Sequence, residues 1–202
     1  MKWKKTVTLA ITGASGAQYG LRLLQCLVAT ECRVYLLISR AAEVVIATET
    51  THKLPQDNAA MGAYLADFAE AKTGQVQLYS REDWFAPVAS GSSAPASMVI
   101  CPASGGTLSA IATGASNNLI ERAADVALKE RRQLIVVPRE TPYSEIHLEN
   151  MLKITRMGGI VLPASPGFYQ SPVSVESLID FIVARIMDHL GVPQDLFSKW
   201  GE

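Results

Sequence analysis

The fold is decided by residues 6–20, TVTLAITGASGAQYG, where a short apolar run leads into a glycine-rich loop. An apolar run of this length is typical of a strand that is buried on both faces of a parallel sheet. The loop opens a helical pattern over 18–30, in which Tyr19, Leu23 and Leu27 fall on one stripe. A strand, a glycine loop and a helix in this order place free backbone N–H groups at the positive end of a helix dipole, which favours an anion. The glycine spacing does not match the dinucleotide motif G-x-G-x-x-G.

The alternation of strand and helix continues along the whole chain. Further strands are predicted at 33–38 and 134–137, with weaker candidates at 76–79, 97–101 and 159–162. Helical patterns cover 117–131, which begins with an asparagine cap and ends in basic residues, and 174–190. This order predicts a doubly wound α/β fold of Rossmann or flavodoxin type, with a parallel sheet and helices on both faces. We expect one domain over residues 1–202.

Composition excludes several classes of partner. The 202 residues are 49% hydrophobic and have a net charge of -1, so no electrostatic footprint for nucleic acid is present. No stretch approaches the roughly 20 apolar residues of a membrane helix. The three cysteines, Cys26, Cys32 and Cys101, show no C-x-x-C spacing and indicate reduced, buried thiols. We therefore expect a cytoplasmic protein without a nucleic-acid or membrane partner.

Two features downstream of the first loop bear on its ligand. The second strand ends in Ser39-Arg40, without the acid that usually binds the ribose of NAD. A mononucleotide, or NADP through Arg40, remains possible, and the Ser39 hydroxyl suits a phosphate or the ribityl chain of FMN. A second loop of small and hydroxyl residues, 101–107, follows another strand. Loops at the carboxyl ends of parallel strands converge on one crevice, so we expect both to contact one ligand.

Basic residues are concentrated in one part of the sequence. The cations considered are Arg122, Lys129, Arg131, Arg132, Arg139 and Arg185. Arg122 and Lys129 are two helical turns apart and share a face. Arg139-Glu140 follows a strand at its active-site end, which indicates a second anion site with proton-transfer capacity. The alternative is a solvated helix face, which we accept for Arg131 and Arg132.

Motifs for metal chemistry and for nucleophilic hydrolysis are absent. The sequence has no D-D-x-x-D, H-E-x-x-H, P-loop lysine or G-x-S-x-G pattern. The histidines, His52, His147 and His189, are scattered and are interpreted as surface or capping residues. Prolines and a glycine within 163–172 fix the position of Tyr169, whose hydroxyl could bind an anion.

These segments together resemble the UbiX-type flavin prenyltransferases, within the flavoprotein group that also contains cysteine-type decarboxylases. The matching segments are 11–20, Ser39, 104–114, 117–131, 136–152 and 159–172. The resemblance implies that a dimethylallyl group is transferred from dimethylallyl monophosphate to N5 and then C6 of reduced FMN, with release of phosphate and without a metal. It also implies that the prenylated FMN passes to a UbiD-type decarboxylase, in many bacteria for ubiquinone synthesis. A dodecamer with the flavin at subunit interfaces is implied as well.

The resemblance also assigns roles to residues of this chain. The positions that match FMN contacts are Gly13, Ala14, Ser15, Ser39, Ser104, Gly105, Gly106, Thr107 and Arg139. The positions that match binding of the dimethylallyl phosphate are Arg122, Lys129, Arg139, Glu140, Tyr169 and Arg185. Glu140 is a candidate to protonate the departing phosphate, and Glu49 is a candidate for proton handling near the flavin. Trp84 and Trp200 are candidate walls of the prenyl pocket, because aromatic faces stabilise cations.

Three alternative functions are weighed against this resemblance, and the third fails on the sequence. A flavin-dependent cysteine decarboxylase would share the FMN loops but needs a catalytic histidine early in the chain, where His52 lacks the expected surroundings. An FMN-binding module without chemistry would not need a second phosphate site. An NADP-dependent reductase would need a Tyr-x-x-x-Lys pair, which is missing.

Overall fold

The computed structural model describes residues 3–169 and 171–197. Within them, six parallel strands form one sheet in the order β3-β2-β1-β4-β5-β6. The strands are β1 Lys5–Ile11, β2 Cys32–Ile38, β3 Val76–Tyr79, β4 Ser97–Ala103, β5 Gln133–Pro138 and β6 Ile160–Val161. The α-helices are α1 Ala17–Ala29, α2 Arg40–Glu49, α3 Asn58–Phe68, α4 Gly105–Thr113, α5 Leu119–Lys129, α6 Glu145–Arg156 and α7 Val175–Leu190, with a short 3-10 helix at Pro87–Ala89.

The predicted α/β class is confirmed, including the three strands with weaker signals. Helices cover both faces of the sheet, and successive strand residues point to opposite faces. Val7, Leu9 and Ile11 pack against one layer, which contains α1, α2, α3 and α7. Ala10 and the alternate residues of β4 and β5 pack against the other layer, which contains α4 and α5. Two cores on either side of one sheet are what a doubly wound fold requires.

Four helices, α2, α3, α4 and α6, have no predicted range in the sequence analysis. Each buries only a narrow face: Met61 and Leu65 are the buried residues of α3, and Asn150 and Ile154 those of α6. A narrow buried face leaves too few apolar positions for a clear helical period. Periodicity therefore detects the helices with broad buried faces, such as α1 and α5.

The sheet has its switch point between β1 and β4. β1 pairs with β2 on one side and with β4 on the other. The helix after β1 packs on one face of the sheet, while the helix after β4 packs on the opposite face. The chain therefore leaves the two strands towards opposite faces of the sheet, and the carboxyl edge between the two helices is the usual ligand site in such sheets.

Gly20 lies inside α1 and has a packing role there. A Cβ at this position would lie less than 3.0 Å from the Cys101 carbonyl oxygen and 3.0 Å from Ile11. The first turns of α1 thus approach β4 more closely than any other residue would permit.

We predict that Gly20→Ala lowers the melting temperature of the flavin-free protein by about 2–10 °C, because the added methyl group must displace backbone. The matched control is Gly106→Ala in α4, where a Cβ would meet nothing within 4 Å. That variant should melt at or above the wild-type temperature, since alanine favours a helix over glycine. Calorimetry of both variants checks the prediction; equal melting temperatures would contradict it.

Candidate functional site

The loops after β1, β4 and β5 meet at the carboxyl edge of the sheet. The Thr12 hydroxyl donates to the Pro102 carbonyl oxygen at 2.9 Å and accepts from the Ser104 N–H at 2.8 Å. The Arg139 guanidinium Nε donates to the Ser15 carbonyl oxygen at 3.0 Å. The structure therefore brings the two predicted FMN loops and Arg139 together.

The first loop is held close to the start of α2. A Cβ on Gly13 would lie less than 3.0 Å from Ala41 Cβ, so only glycine fits there. Ala14 is buried beside it. Gly16 has a φ of 98°, a left-handed conformation that favours glycine. These constraints fix the backbone that leads into α1.

The side chain of Glu49, the last residue of α2, caps the N-terminus of α1. Its Oε2 atom accepts from the Gly16 N–H at 2.7 Å and from the Ala17 N–H at 3.3 Å. Desolvation raises the pKa of Glu49, but hydrogen bonds from the Ser15 hydroxyl and these two N–H groups, together with the charge of Arg139, outweigh it and lower the pKa below its ordinary value. Glu49 is therefore a carboxylate at neutral pH.

This contact changes how the first loop can bind an anion. The sequence predicts that the helix dipole of α1 attracts a ligand phosphate. In the structure the two N–H groups at that terminus already bind the Glu49 carboxylate. A phosphate at the same N–H groups would have to displace an anion of the same chain. The backbone N–H groups of this loop that remain for a ligand are those of Gly13, Ala14 and Ser15.

The predicted hydroxyl residues cap helices. The Ser39 Oγ accepts from the Ala42 N–H at 3.1 Å at the start of α2. The Ser104 Oγ accepts from the Thr107 N–H at 3.3 Å at the start of α4, and the two hydroxyl oxygens are 3.0 Å apart. Capping alone accounts for hydroxyl groups at these positions. Both caps lie at the carboxyl edge of the sheet, beside the two predicted FMN loops.

His147 contacts the second loop and was interpreted from the sequence only as a surface or capping residue. Its Nδ1 accepts from the Ser144 N–H at 3.1 Å, in a capping box at the start of α6. A Cβ on Gly105 would lie 2.6 Å from His147 Nε2. The capping role is confirmed, and the packing against Gly105 is a long-range contact that no sequence pattern indicates.

Tyrosines surround Arg139 and Glu140. Burial raises the pKa of Tyr19, as does the nearby Cys101 thiol, while the Arg139 charge acts in the opposite direction. Burial also raises the pKa of Tyr143, and the negative charge of Glu140 adds to this effect. The sequence analysis places Tyr19 on one stripe of α1 and gives it no role in the site. Its contact with the charge of Arg139 places it beside the site.

Three predicted phosphate-binding cations lie on helices, Arg122 and Lys129 on α5 and Arg185 on α7. Arg122 donates to the Ala89 carbonyl oxygen at 3.1 Å and pairs with Asp125 at 3.0 Å. Lys129 pairs with Glu130 at 2.5 Å. Arg185 pairs with Asp188 at 3.1 Å. Each of these cations therefore has an acidic neighbour on or directly after its own helix.

Within one chain the structure does not bring Lys129 or Arg185 next to Arg139. Lys129 lies four residues before β5, at the amino edge of the sheet, whereas Arg139 follows β5. The six residues of β5 separate these edges by about 20 Å. Arg185 lies in the last turns of α7. This helix ends at the amino edge, as shown by the hydrogen bond that the amino group of Lys5, the first residue of β1, donates to the Leu190 carbonyl oxygen at 2.5 Å. A single cationic pocket is not formed in one chain.

The predicted aromatic residues are partly exposed or lie outside the described range. Trp84 follows β3 and is 47% exposed, and Tyr169 packs edge to face on Phe181 with ring centroids 5.7 Å apart. Glu140 is half-buried beyond β5. Trp200 lies outside the described residues. Trp84, Glu140 and Tyr169 follow β3, β5 and β6, respectively, and therefore lie on the carboxyl side of the sheet.

Thiols and metals give no second site in the described part of the chain. Cys26, Cys32 and Cys101 are buried and free, as predicted, and burial raises the pKa of each thiol. No cluster of three His, Cys, Asp or Glu residues that could hold a metal occurs in the ranges 3–169 and 171–197. Over the same ranges, every helix is too short or too polar to span a bilayer.

Comparison with known proteins defines the class of this chain. It belongs to the flavoprotein family, whose model matches residues 1–187. The chain is also 62% identical to a Pseudomonas aeruginosa protein named flavin prenyltransferase UbiX, over 202 residues that cover 100% of this chain and 97% of the relative. The resemblance to UbiX-type flavin prenyltransferases is thereby confirmed.

Solved structures support the same assignment. A UbiX protein crystallised with FMN and dimethylallyl pyrophosphate is 38% identical, covers 98% of both chains and gives a TM-score of 0.86. A structure described as a dodecameric FMN-dependent UbiX-like decarboxylase from Escherichia coli O157:H7 is 35% identical and gives a TM-score of 0.85, over 98% of this chain and 100% of the other. Sheet, helices and loops of the candidate site therefore have counterparts across the whole chain.

We predict that Glu49→Gln lowers the melting temperature at pH 7, because the neutral amide interacts more weakly with the N-terminus of α1. The folded pKa of Glu49 is depressed, so its stabilisation is complete above the ordinary value of 4.5 and is lost as the pH falls through the folded pKa. The difference between wild type and variant should therefore shrink below about pH 4.5. Melting curves between pH 7 and 4 measure it, with Glu149→Gln on the exposed side of α6 as control; a difference independent of pH would contradict the capping role.

Proposed function

We propose that this protein is a metal-independent flavin prenyltransferase that uses dimethylallyl monophosphate and reduced FMN. The observation that supports it best is the junction of Ser15, Glu49 and Arg139 beside the Ser104 loop, at the switch point of the sheet. A chain 62% identical over its whole length to a protein with that name supports the same reaction class.

The donor set at the crevice fits FMN. It consists of backbone N–H groups of Gly13 to Ser15, hydroxyls of Ser39, Ser104 and Thr107, and the Arg139 guanidinium. β2 ends at Ile38 before Ser39, with no acid for an adenosine ribose, so a mononucleotide is favoured over NAD. In this function the reduced flavin supplies the acceptor atoms, N5 and then C6, for the dimethylallyl group.

The side chains at the junction have separate tasks. Arg139 binds anionic oxygens and stabilises charge that develops on the departing phosphate, a role that a dry site strengthens. Glu49 is ionised and fixed by three hydrogen bonds, so it suits the acceptance of a proton rather than its donation. Glu140, next to Arg139 and half-buried, is the candidate to return a proton to the phosphate. No metal is needed because cationic side chains supply the positive charge.

The remaining phosphate-binding residues come from neighbouring copies of the chain. Arg122, Lys129 and Arg185 lie outside the Arg139 junction within one chain, so a pocket that uses them requires an oligomer. Exposed apolar side chains in the segments 84–85, 146–152 and 168–175 support such an assembly, with Phe85 and Val173 almost fully exposed. A related structure is dodecameric, and we propose a dodecamer here too. Tyr169, Trp84 and Trp200 would line the prenyl side of this shared pocket.

The product of this reaction is prenylated FMN, which has to leave the protein to act. The resemblance to the UbiX family supports a UbiD-type decarboxylase as its recipient and a place in ubiquinone synthesis. The protein would then work as a supplier of a modified cofactor.

The proposed reaction is tested anaerobically without added metal. Purified protein, reduced FMN and dimethylallyl monophosphate are mixed, and the released flavin is analysed by mass spectrometry. We expect a flavin heavier by one dimethylallyl unit, release of inorganic phosphate, and the same yield in EDTA. Unchanged FMN that still binds the protein would instead favour a decarboxylase or a flavin carrier, and a yield restored only by Mg²⁺ would contradict the metal-free mechanism.

The shared pocket predicts complementation between two inactive variants. Arg139→Ala and Lys129→Ala should each lose transfer activity. If one pocket takes Arg139 and Lys129 from different copies, mixed oligomers of the two variants contain about a quarter intact pockets. Co-expression should therefore restore a comparable fraction of wild-type activity. Oligomers made only of a double variant, which carries both changes in one chain, should have no activity. No recovery in verified mixed oligomers would place both residues in the same copy.

A further inference from the structure

A buried threonine joins the two loops that contact the flavin in the proposed function. Thr12 is 1% exposed and directly follows β1. It does not stand among the residues that the sequence pattern or the family resemblance places against FMN. Its contacts nevertheless connect the loop after β1 with the loop after β4, across the switch point of the sheet.

The orientation of the Thr12 hydroxyl is fully determined. The Pro102 carbonyl oxygen can only accept, so the hydroxyl donates to it at 2.9 Å. The Ser104 N–H can only donate, so the hydroxyl oxygen accepts from it at 2.8 Å. The Thr12 N–H also donates to the Pro102 carbonyl oxygen, at 3.1 Å. Three hydrogen bonds thus fix the two loops to each other through one residue.

The Ser104 N–H lies one residue before α4. The next hydrogen bond along the chain runs from the Thr107 N–H to the Ser104 Oγ at 3.3 Å. A change in the position of the Ser104 backbone therefore moves the cap of α4 and the residues between 104 and 107. These are the residues of the second loop that match FMN contacts.

We propose that Thr12 is a positioning residue of the flavin site, which sets the register between the loops after β1 and β4. The inference rests on the proposed function, because it assigns Thr12 a role in FMN binding. Thr12 acts through Ser104 and does not itself contact the ligand. In a Thr12→Val variant the Ser104 N–H faces a methyl group instead of an acceptor. We expect the loop after β4 to shift so that this N–H finds another acceptor.

The experiment compares two substitutions at this position. Thr12→Val keeps the shape and removes the hydroxyl, whereas Thr12→Ser keeps the hydroxyl and removes the methyl group. We expect Thr12→Val to raise the FMN dissociation constant about tenfold or more, and Thr12→Ser to stay within about threefold of wild type. Quenching of FMN fluorescence measures the constants on protein shown to be folded by circular dichroism and size-exclusion chromatography.

Thr8 provides the matched control. It is a buried threonine of β1, 2% exposed, and four residues or about 13 Å before Thr12. Thr8→Val should bind FMN as wild type does, even if its melting temperature falls. A structural role alone would lower the melting temperature of Thr12→Val and leave the FMN affinity of the folded protein unchanged.

The outcomes separate this inference from the proposed function. Wild type that binds FMN, together with Thr12→Val of equal affinity, would overturn the positioning role alone. Wild type that binds no FMN would overturn the proposed function and this inference with it. Should Thr12→Val not fold, Thr12→Ala and Thr12→Ser differ only by the hydroxyl oxygen, and equal FMN affinity in that pair would likewise refute the proposal.

Discussion

Parallel pairing of all the described strands is the constraint from which the rest of this structure follows. Every strand ends at the same edge of the sheet, so each connection between consecutive strands begins there and must return to the opposite edge. Loops, caps and helix N-termini are concentrated at the carboxyl edge. Helices α5 and α7 end at the amino edge. Residues at the carboxyl edge can therefore form a site, whereas Lys129 and Arg185, near the ends of α5 and α7, cannot join it within the same chain.

The carboxyl edge is rich in backbone N–H groups, and the chain itself satisfies several of them. The Glu49 carboxylate accepts from the N–H groups at the start of α1, and the Thr12 hydroxyl accepts from the Ser104 N–H. The Ser39 and Ser104 hydroxyls cap α2 and α4. Contacts within the chain thus fix the backbone of the candidate site and hold a carboxylate beside Arg139. A preformed arrangement of this kind lowers the cost of ordering loops when a cofactor binds.

The same geometry explains why one chain would provide only part of the proposed phosphate pocket. Lys129 and Arg185 lie toward the amino edge because α5 and α7 end there. Their ion pairs with Glu130 and Asp188 hold them on the surface of their own helices. In the proposed oligomer a neighbouring copy presents these surfaces to the Arg139 junction. An enzyme assembled in this way depends on its quaternary structure for charge stabilisation.

The sequence by itself determined the α/β class, the six strands and the loops after β1 and β4, because short buried strands and glycine loops are local patterns. It also identified Arg139 and the two loops as neighbours, since parallel strands end at one edge. Only the tertiary structure decided that Glu49 fills the N-terminus of α1, that Thr12 joins the loops and that His147 packs on Gly105. These contacts link residues 33, 92 and 42 positions apart, respectively. Sequence patterns register local spacing, whereas such contacts depend on how the helices pack across the sheet.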